Sequence, residues 1–201
     1  MGLFMRLGVV SDIHCNIKGL RAALDAMGSI DQLVCLGDSI DEYRFSNEVV
    51  GLLREMAAHV IQGNHEEVFF SLHGERARSQ PGIDKSLMTW LSEQPKQAEL
   101  TLAGKSLLLV HSTPWPSRGV YVYPGDPLLR RFGEVEADYV LYGHTHMQLA
   151  HRVGRPLVVN PGSAGDGRDY RYDRQLSCAV IDLATDAVEF SNFPNPNLPV
   201  I

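Results

Sequence analysis

Within its first 65 residues the chain alternates short apolar runs with stretches of helical spacing, and few backbone arrangements accommodate that alternation. The runs ending at Val9-Val10, Gln32 to Leu36 and His59 to Gln62 read as strands. Between the first two, Ile17, Leu20, Ala23, Leu24 and Met27 fall on one face of a helix running from Asn16 to Met27. Between the second and third, Ser46 or Asn47 caps a helix that carries Val49, Val50, Leu52, Leu53 and Met56. The order β-α-β-α-β predicts a parallel sheet with helices packed on it.

The middle of the chain is more helical. Val68 to Leu72 reads as a short helix, Gly74 to Gly82 as a polar, mobile connection, and Asp84 to Leu91 as a further helix barred from extension by Pro95. Strand signals then dominate. Glu99 to Leu102 and Ser106 to Val110 flank Ala103-Gly104-Lys105 as a hairpin, and Pro127 to Phe132 reads as a helix. Asp138 to Tyr142, Gln148 to Arg152 and Leu157 to Val159 follow as strands. Ser177 to Asp182 and Ala187 to Phe190 form a second hairpin, and the proline-bearing tail from Phe193 to Pro199 is irregular. The second half therefore stacks as a second sheet on the first within one domain spanning 1–201.

Five places share one grammar, in which an apolar run stops and metal-capable side chains follow at once. They are Asp12 and His14, Asp38, Asn64 and His65, His111, and His144 with His146. If the pleat of the first strand continues, Asp12 and His14 point to the same side. Ligands of open α/β sheets bind at the carboxyl ends of the strands, so the five places are expected to converge. Leaving out His65 and Glu66, the set holds two Asp, one Asn and four His with no thiolate. That mixture suits Mn²⁺, Fe²⁺, Zn²⁺ or Ni²⁺ better than Ca²⁺. Seven side chains exceed what one ion needs, whereas paired ions sharing a carboxylate serve phosphoryl displacement.

These motifs, Asp12-x-His14, Gly37-Asp38, Gly63-Asn64-His65-Glu66, His111 and Gly143-His144-Thr145-His146, resemble in this order those of the calcineurin-like metallophosphoesterases. The likeness runs from about Arg6 to Ser163 and is nearest to the small, cap-less bacterial phosphodiesterases. The resemblance implies an αββα sandwich of two mixed sheets flanked by helices. It implies two divalent ions, manganese first among the candidates. Asp12, His14, Asp38 and His146 would hold one ion, and Asp38, Asn64, His111 and His144 the other. It further implies a hydroxide activated by the metal pair, His65 acting on the leaving oxygen, and Glu66 orienting His65.

Two departures from the family pattern stand out. Cys15 occupies a position where the family often has glycine, which would place an oxidant-sensitive thiol beside the site. Gly37-Asp38-Ser39-Ile40-Asp41-Glu42-Tyr43 lacks the Asp-Arg-Gly of protein Ser/Thr phosphatases. The expected substrate is a small or nucleotide-like phosphodiester. A phosphomonoesterase, a nucleotidase or a protein phosphatase on the same site remain as alternatives, as does a scaffold that keeps only the fold. Arg168, Arg171 and Arg174, alternating with aspartates, read as a solvated loop, and Trp115 as packing.

Composition narrows the partners. A net charge of −6 and a pI near 5.7 give no basic field for an extended nucleic acid. Three scattered cysteines supply no disulfide framework, no membrane-length apolar run is seen, and Met1 to Arg6 does not read as a signal peptide, so none is expected. The expected setting is the cytoplasm.

Overall fold

The computed structural model describes residues 4–116 and 119–197; residues 198–201, which include the end of the expected irregular tail, lie outside the described residues. Among the described residues, ten strands build two five-stranded mixed sheets. The first third folds as β1 (Arg6–Val10), α1 (Ile17–Met27), β2 (Gln32–Cys35), α2 (Asn47–Glu55) and β3 (His59–Val60), with β1, β2 and β3 parallel. Asn16 caps α1 by accepting from Gly19 N, and Ser46 caps α2 by accepting from Val49 N.

Next come α3 (Asn64–Phe70), α4 (Glu75–Arg78) and α5 (Lys85–Ser92). The helix expected over Val68 to Leu72 in fact begins at Asn64, because the Glu66 side chain reaches back and accepts from Gly63 N at 2.8 Å. The polar Gly74 to Gly82 connection holds α4 within it, where Arg78 donates to Ser71 O at 2.7 Å.

The second half gives β4 (Gln97–Leu102), β5 (Lys105–Val110), β6 (Tyr139–Leu141), β7 (Gln148–Arg152), β8 (Leu157–Pro161), β9 (Leu176–Asp182) and β10 (Ala187–Phe193). The sheets run β10-β9-β1-β2-β3 and β4-β5-β6-β8-β7, so the last hairpin returns to the first sheet. Pro127–Glu134 is a 3₁₀ segment rather than an α-helix.

Alternation along the strands sorts the core into three layers. Leu7 and Val9 join Val34, Ile61, Leu109, Tyr139, Leu141 and Val159 between the sheets. Val10, Cys35 and Val60 face outward and meet Leu20, Val50, Leu53, Phe69 and Leu91 of the helices. Beyond the second sheet, Leu108, Val140 and Val158 pack on Leu129 and Phe132 of the 3₁₀ segment. Two sheets between two helical layers thus make an αββα sandwich, with the parallel strands of both sheets ending at one rim.

Candidate metal centre

The polar side chains lie just past the strand ends: His111 directly follows β5, and three residues separate Asn64 from β3. Asp12, His14 and Cys15 have φ of 53°, 48° and 59°, so the pleat does not continue through them. Their N–H groups nevertheless donate to the carbonyls of Gly37, Asp38 and Ser39, prolonging the β1–β2 pairing along a tightly turned path. Asp38, His144 and His146 are left-handed too, at 51°, 66° and 56°. Left-handed backbone in residues with a Cβ is costly, and such outliers gather where a site dictates them.

Each carboxylate is pinned by one oxygen and offers the other. Asp12 Oδ2 accepts from His144 N at 3.0 Å, while Oδ1 lies 3.2 Å from His146 Nε2 and 4.0 Å from His14 Nε2. Asp38 Oδ1 accepts from His65 N at 2.9 Å, while Oδ2 lies 3.2 Å from His111 Nε2. The backbones come this close only because glycine precedes the ligands. A Cβ on Gly63 would lie 2.2 Å from Asp38 Oδ1, and one on Gly143 1.9 Å from Ser11 Oγ.

Three imidazoles are held from behind. His111 Nδ1 donates to Leu36 O at 2.7 Å, His146 Nδ1 to Asp166 O at 2.6 Å, and His14 Nδ1 faces Asp41 Oδ1 at 3.3 Å. A carbonyl only accepts, so Nδ1 keeps a proton, and in the neutral ring it is Nε2 that offers a lone pair toward the site. His14 and His146 bring their Nε2 atoms within 3.2 Å of each other, and His111 Nε2 lies 3.0 Å from Asn64 Oδ1. All seven side chains singled out in the sequence therefore meet. Asp12, His14 and His146 form one group, Asp38, His111 and His144 another, and His14, Asp38 and His65 a third between them.

The charges follow from that crowding. Burial opposes ionisation of Asp12, but His146 holds its carboxyl far below the usual range, and His111 does the same for Asp38. Burial likewise opposes protonation of His14, yet its bond to Asp41 raises it, whereas burial and then the His111 charge lower His144. Burial disfavours a proton on His111 as well, but Asp38 beside it pushes the ring from 6.5 up to about 10.

Protonated His111 therefore contributes stability that is complete below pH 6.5 and is lost as pH rises through about 10 in the metal-free chain. A metal requires the unprotonated ring, so its stabilising effect grows over the same interval. The gap between the melting temperatures of Mn²⁺-saturated and metal-free protein is expected to widen from about pH 6.5 to about pH 9. A constant gap would mean that His111 gives up no proton on loading.

Two expectations are revised. Glu66 does not orient His65. Its carboxylate instead accepts from the backbone N–H groups of Asp38, Ser39, Ile40 and Gly63 and from Ser39 Oγ, at 2.6–3.1 Å. Cys15 is not a sensitised thiol either, since burial pushes it up to about 11 and its Sγ donates to Arg44 O at 3.2 Å.

Several supporting residues carried little signal in the sequence. Asp41 backs His14. Asn160 donates to Gly143 O at 2.8 Å, and Ser163 Oγ donates to Asp12 O at 2.7 Å, so the end of β8 and the turn after it brace two ligand loops. Tyr121 stacks on the His144 ring, centroids 4.0 Å apart. The arginines are structural: Arg168 pairs with Asp166, Arg171 with Asp169 and Gln148 O, and Arg174 lies over Tyr170. Trp115 packs on Phe132. His59, His73 and His151 belong to none of the three groups.

The donor set fits divalent metal. Asp12 Oδ1 and His144 Nε2 are buried without a hydrogen-bond partner, a costly state that a cation between the groups would relieve. All donors are oxygen or imidazole nitrogen, which suits the later first-row ions.

Two stacked mixed sheets with such a cluster at the strand ends define a metallophosphoesterase sandwich. The chain belongs to the calcineurin-like phosphoesterase superfamily, whose domain matches residues 5–186; members are phosphoester hydrolases that use divalent metal ions. The uncharacterised protein MJ0912 of Methanocaldococcus jannaschii is 25% identical over 193 residues, covering 81% of this chain and 77% of that protein. A metallophosphoesterase from Sphaerobacter thermophilus shares the fold with a TM-score of 0.76 at 23% identity, over 96% of this chain and 89% of that one. An archaeal phosphodiesterase matches with a TM-score of 0.61 at 18% identity, over 94% and 100%. No helix among the described residues is long and apolar enough to cross a membrane.

Proposed function

We propose that this protein hydrolyses small phosphodiesters with two divalent transition-metal ions, manganese being the first candidate. Asp12, His14, Asp38 and His146 would hold one ion, and Asp38, Asn64, His111 and His144 the other, with Asp38 shared. The ions would supply an activated water and stabilise charge on the phosphoryl oxygens. Asp12 and Asp38 fix the site's negative charge, while Leu36 O, Asp166 O and Asp41 hold the His111, His146 and His14 rings in the tautomer that presents Nε2. His65, 3.8 Å from Asp38 through Nε2, is partly exposed and stands next to the cluster, where it can give a proton to a departing alkoxide.

The observation that carries the diester reading is the pair of cavities beside the cluster. One of about 280 Å³ adjoins Asn64 and His111, and another of about 370 Å³ adjoins His14 and His65. A diester has two organic arms to house, whereas a monoester has one. With Mn²⁺ present, bis-p-nitrophenyl phosphate is expected to turn over at least about tenfold faster than p-nitrophenyl phosphate, and faster monoester turnover would refute the assignment. His65→Ala is expected to lower kcat for the diester by roughly 10²–10⁴ at unchanged metal content. Undiminished turnover would remove His65 from the mechanism.

A further inference from the structure

The two cavities differ in chemistry, and the difference orients the substrate. The wall beside Asn64 and His111 includes Val110, Pro114, Trp115 and Pro116. The cavity beside His65 has no aliphatic, Phe, Tyr or Trp side chain among its lining residues. Its cations are already matched: Arg44 reaches Asp41 at 2.6 Å, and Arg168 reaches Asp166 at 2.7 Å. A further phosphate would therefore meet arginines already paired with carboxylates.

The chain's own tail completes this cavity. Asn16 Nδ2 donates to Asn195 Oδ1 at 3.2 Å, and Asn197 Nδ2 donates to Asn16 Oδ1 at 2.7 Å. Asn16 is spent on these bonds and on Gly19 N and Gly165 O. Asn195 Nδ2 and Asn197 Oδ1 keep no partner among the described residues, which leaves an amide donor and an amide acceptor on two residues that line the cavity. A hydroxyl both donates and accepts, so vicinal hydroxyls match that pair.

Resting on the diester reading above, we infer that the His65-side cavity, closed by Asn195 and Asn197, binds a neutral polyhydroxylated alcohol as the leaving group, while the Trp115-side cavity keeps an apolar or aromatic arm. In the step, the oxygen of water bonds to phosphorus and the P–O bond to the polyol breaks. The departing oxygen takes the proton from His65. One proton of water restores His65, the other passes to solvent, and the aromatic arm retains the phosphate as a monoester.

The test is benzyl glyceryl phosphate, whose two alcohols are comparable leaving groups, incubated with the Mn²⁺-loaded protein and analysed by ³¹P NMR. Glycerol and benzyl phosphate are expected. Benzyl alcohol with glycerophosphate, or an equal mixture of products, would overturn the orientation. Hydrolysis of bis-p-nitrophenyl phosphate without turnover of the benzyl glyceryl diester would overturn the polyol subsite alone, whereas hydrolysis of neither would remove the diester reading beneath it. The pair Asn195→Leu and Asn197→Leu is expected to lower kcat/KM for the glyceryl diester about tenfold relative to bis-p-nitrophenyl phosphate. An unchanged ratio would remove the tail from recognition.

Discussion

Replacing Asp38 by asparagine is expected to lower diester turnover about a thousandfold or more, roughly 4 kcal/mol of transition-state stabilisation. Asparagine keeps the oxygen that accepts from His65 N, so the loop need not collapse. What disappears is the charge at Oδ2, 3.2 Å from His111 Nε2 and within reach of the donors of two ligand groups. Elemental analysis is expected to find less than one ion per chain, against the two expected for the parent on the proposed two-ion reading. A readout independent of turnover is the His111 ring itself. Its proton is held up to about 10 by Asp38 above all, so in metal-free Asp38→Asn its titration by NMR should fall back toward 6.5. Full metal content together with an unmoved His111 titration would contradict the role given to Asp38.

The second large effect is on stability. Glu66→Ala strands the N–H groups of Asp38, Ser39, Ile40 and Gly63 and the Ser39 hydroxyl in a buried place. The expected loss is about 4 kcal/mol, or on the order of 10 °C in melting temperature. Glu66→Gln tests the same arrangement without a cavity. Its amide NH₂ would face donors whichever way it turned, so it too is expected to destabilise by about 2 kcal/mol. If both variants melted within about 2 °C of the parent, the carboxylate would not be what holds the Asp38 loop to α3.

Much of the architecture was legible because it rests on periodicity. Apolar alternation marked the strands and 3.6-residue spacing marked α1, α2 and α5, and the polar residues at the strand ends pointed to one rim. Sequence spacing failed where the backbone leaves regular structure. Nothing in Asp12-Ile13-His14 announces left-handed φ, since Asp and His are only mildly tolerant of it, and the turn is imposed by pairing with residues 37–39. The spacing marked a helix only from Val68, yet it begins at Asn64, where Glu66 reaches back to Gly63 N. The partners of Glu66 and of His14 are backbone amides and an aspartate three residues beyond Asp38. Such contacts arise from tertiary approach and leave no spacing to read.

The ligand groups also draw together distant parts of the chain. His14 and His146, 132 positions apart, meet across the seam of the two sheets, as do Asn64 and His111, 47 apart. An ion held in each group would therefore act as a removable cross-link closing long loops in both halves of the polypeptide. Closing loops of that length restricts the unfolded chain far more than the folded one. The same atoms that serve chemistry would thereby shift the balance against the disordered ensemble, tying catalytic competence to the topology of the chain.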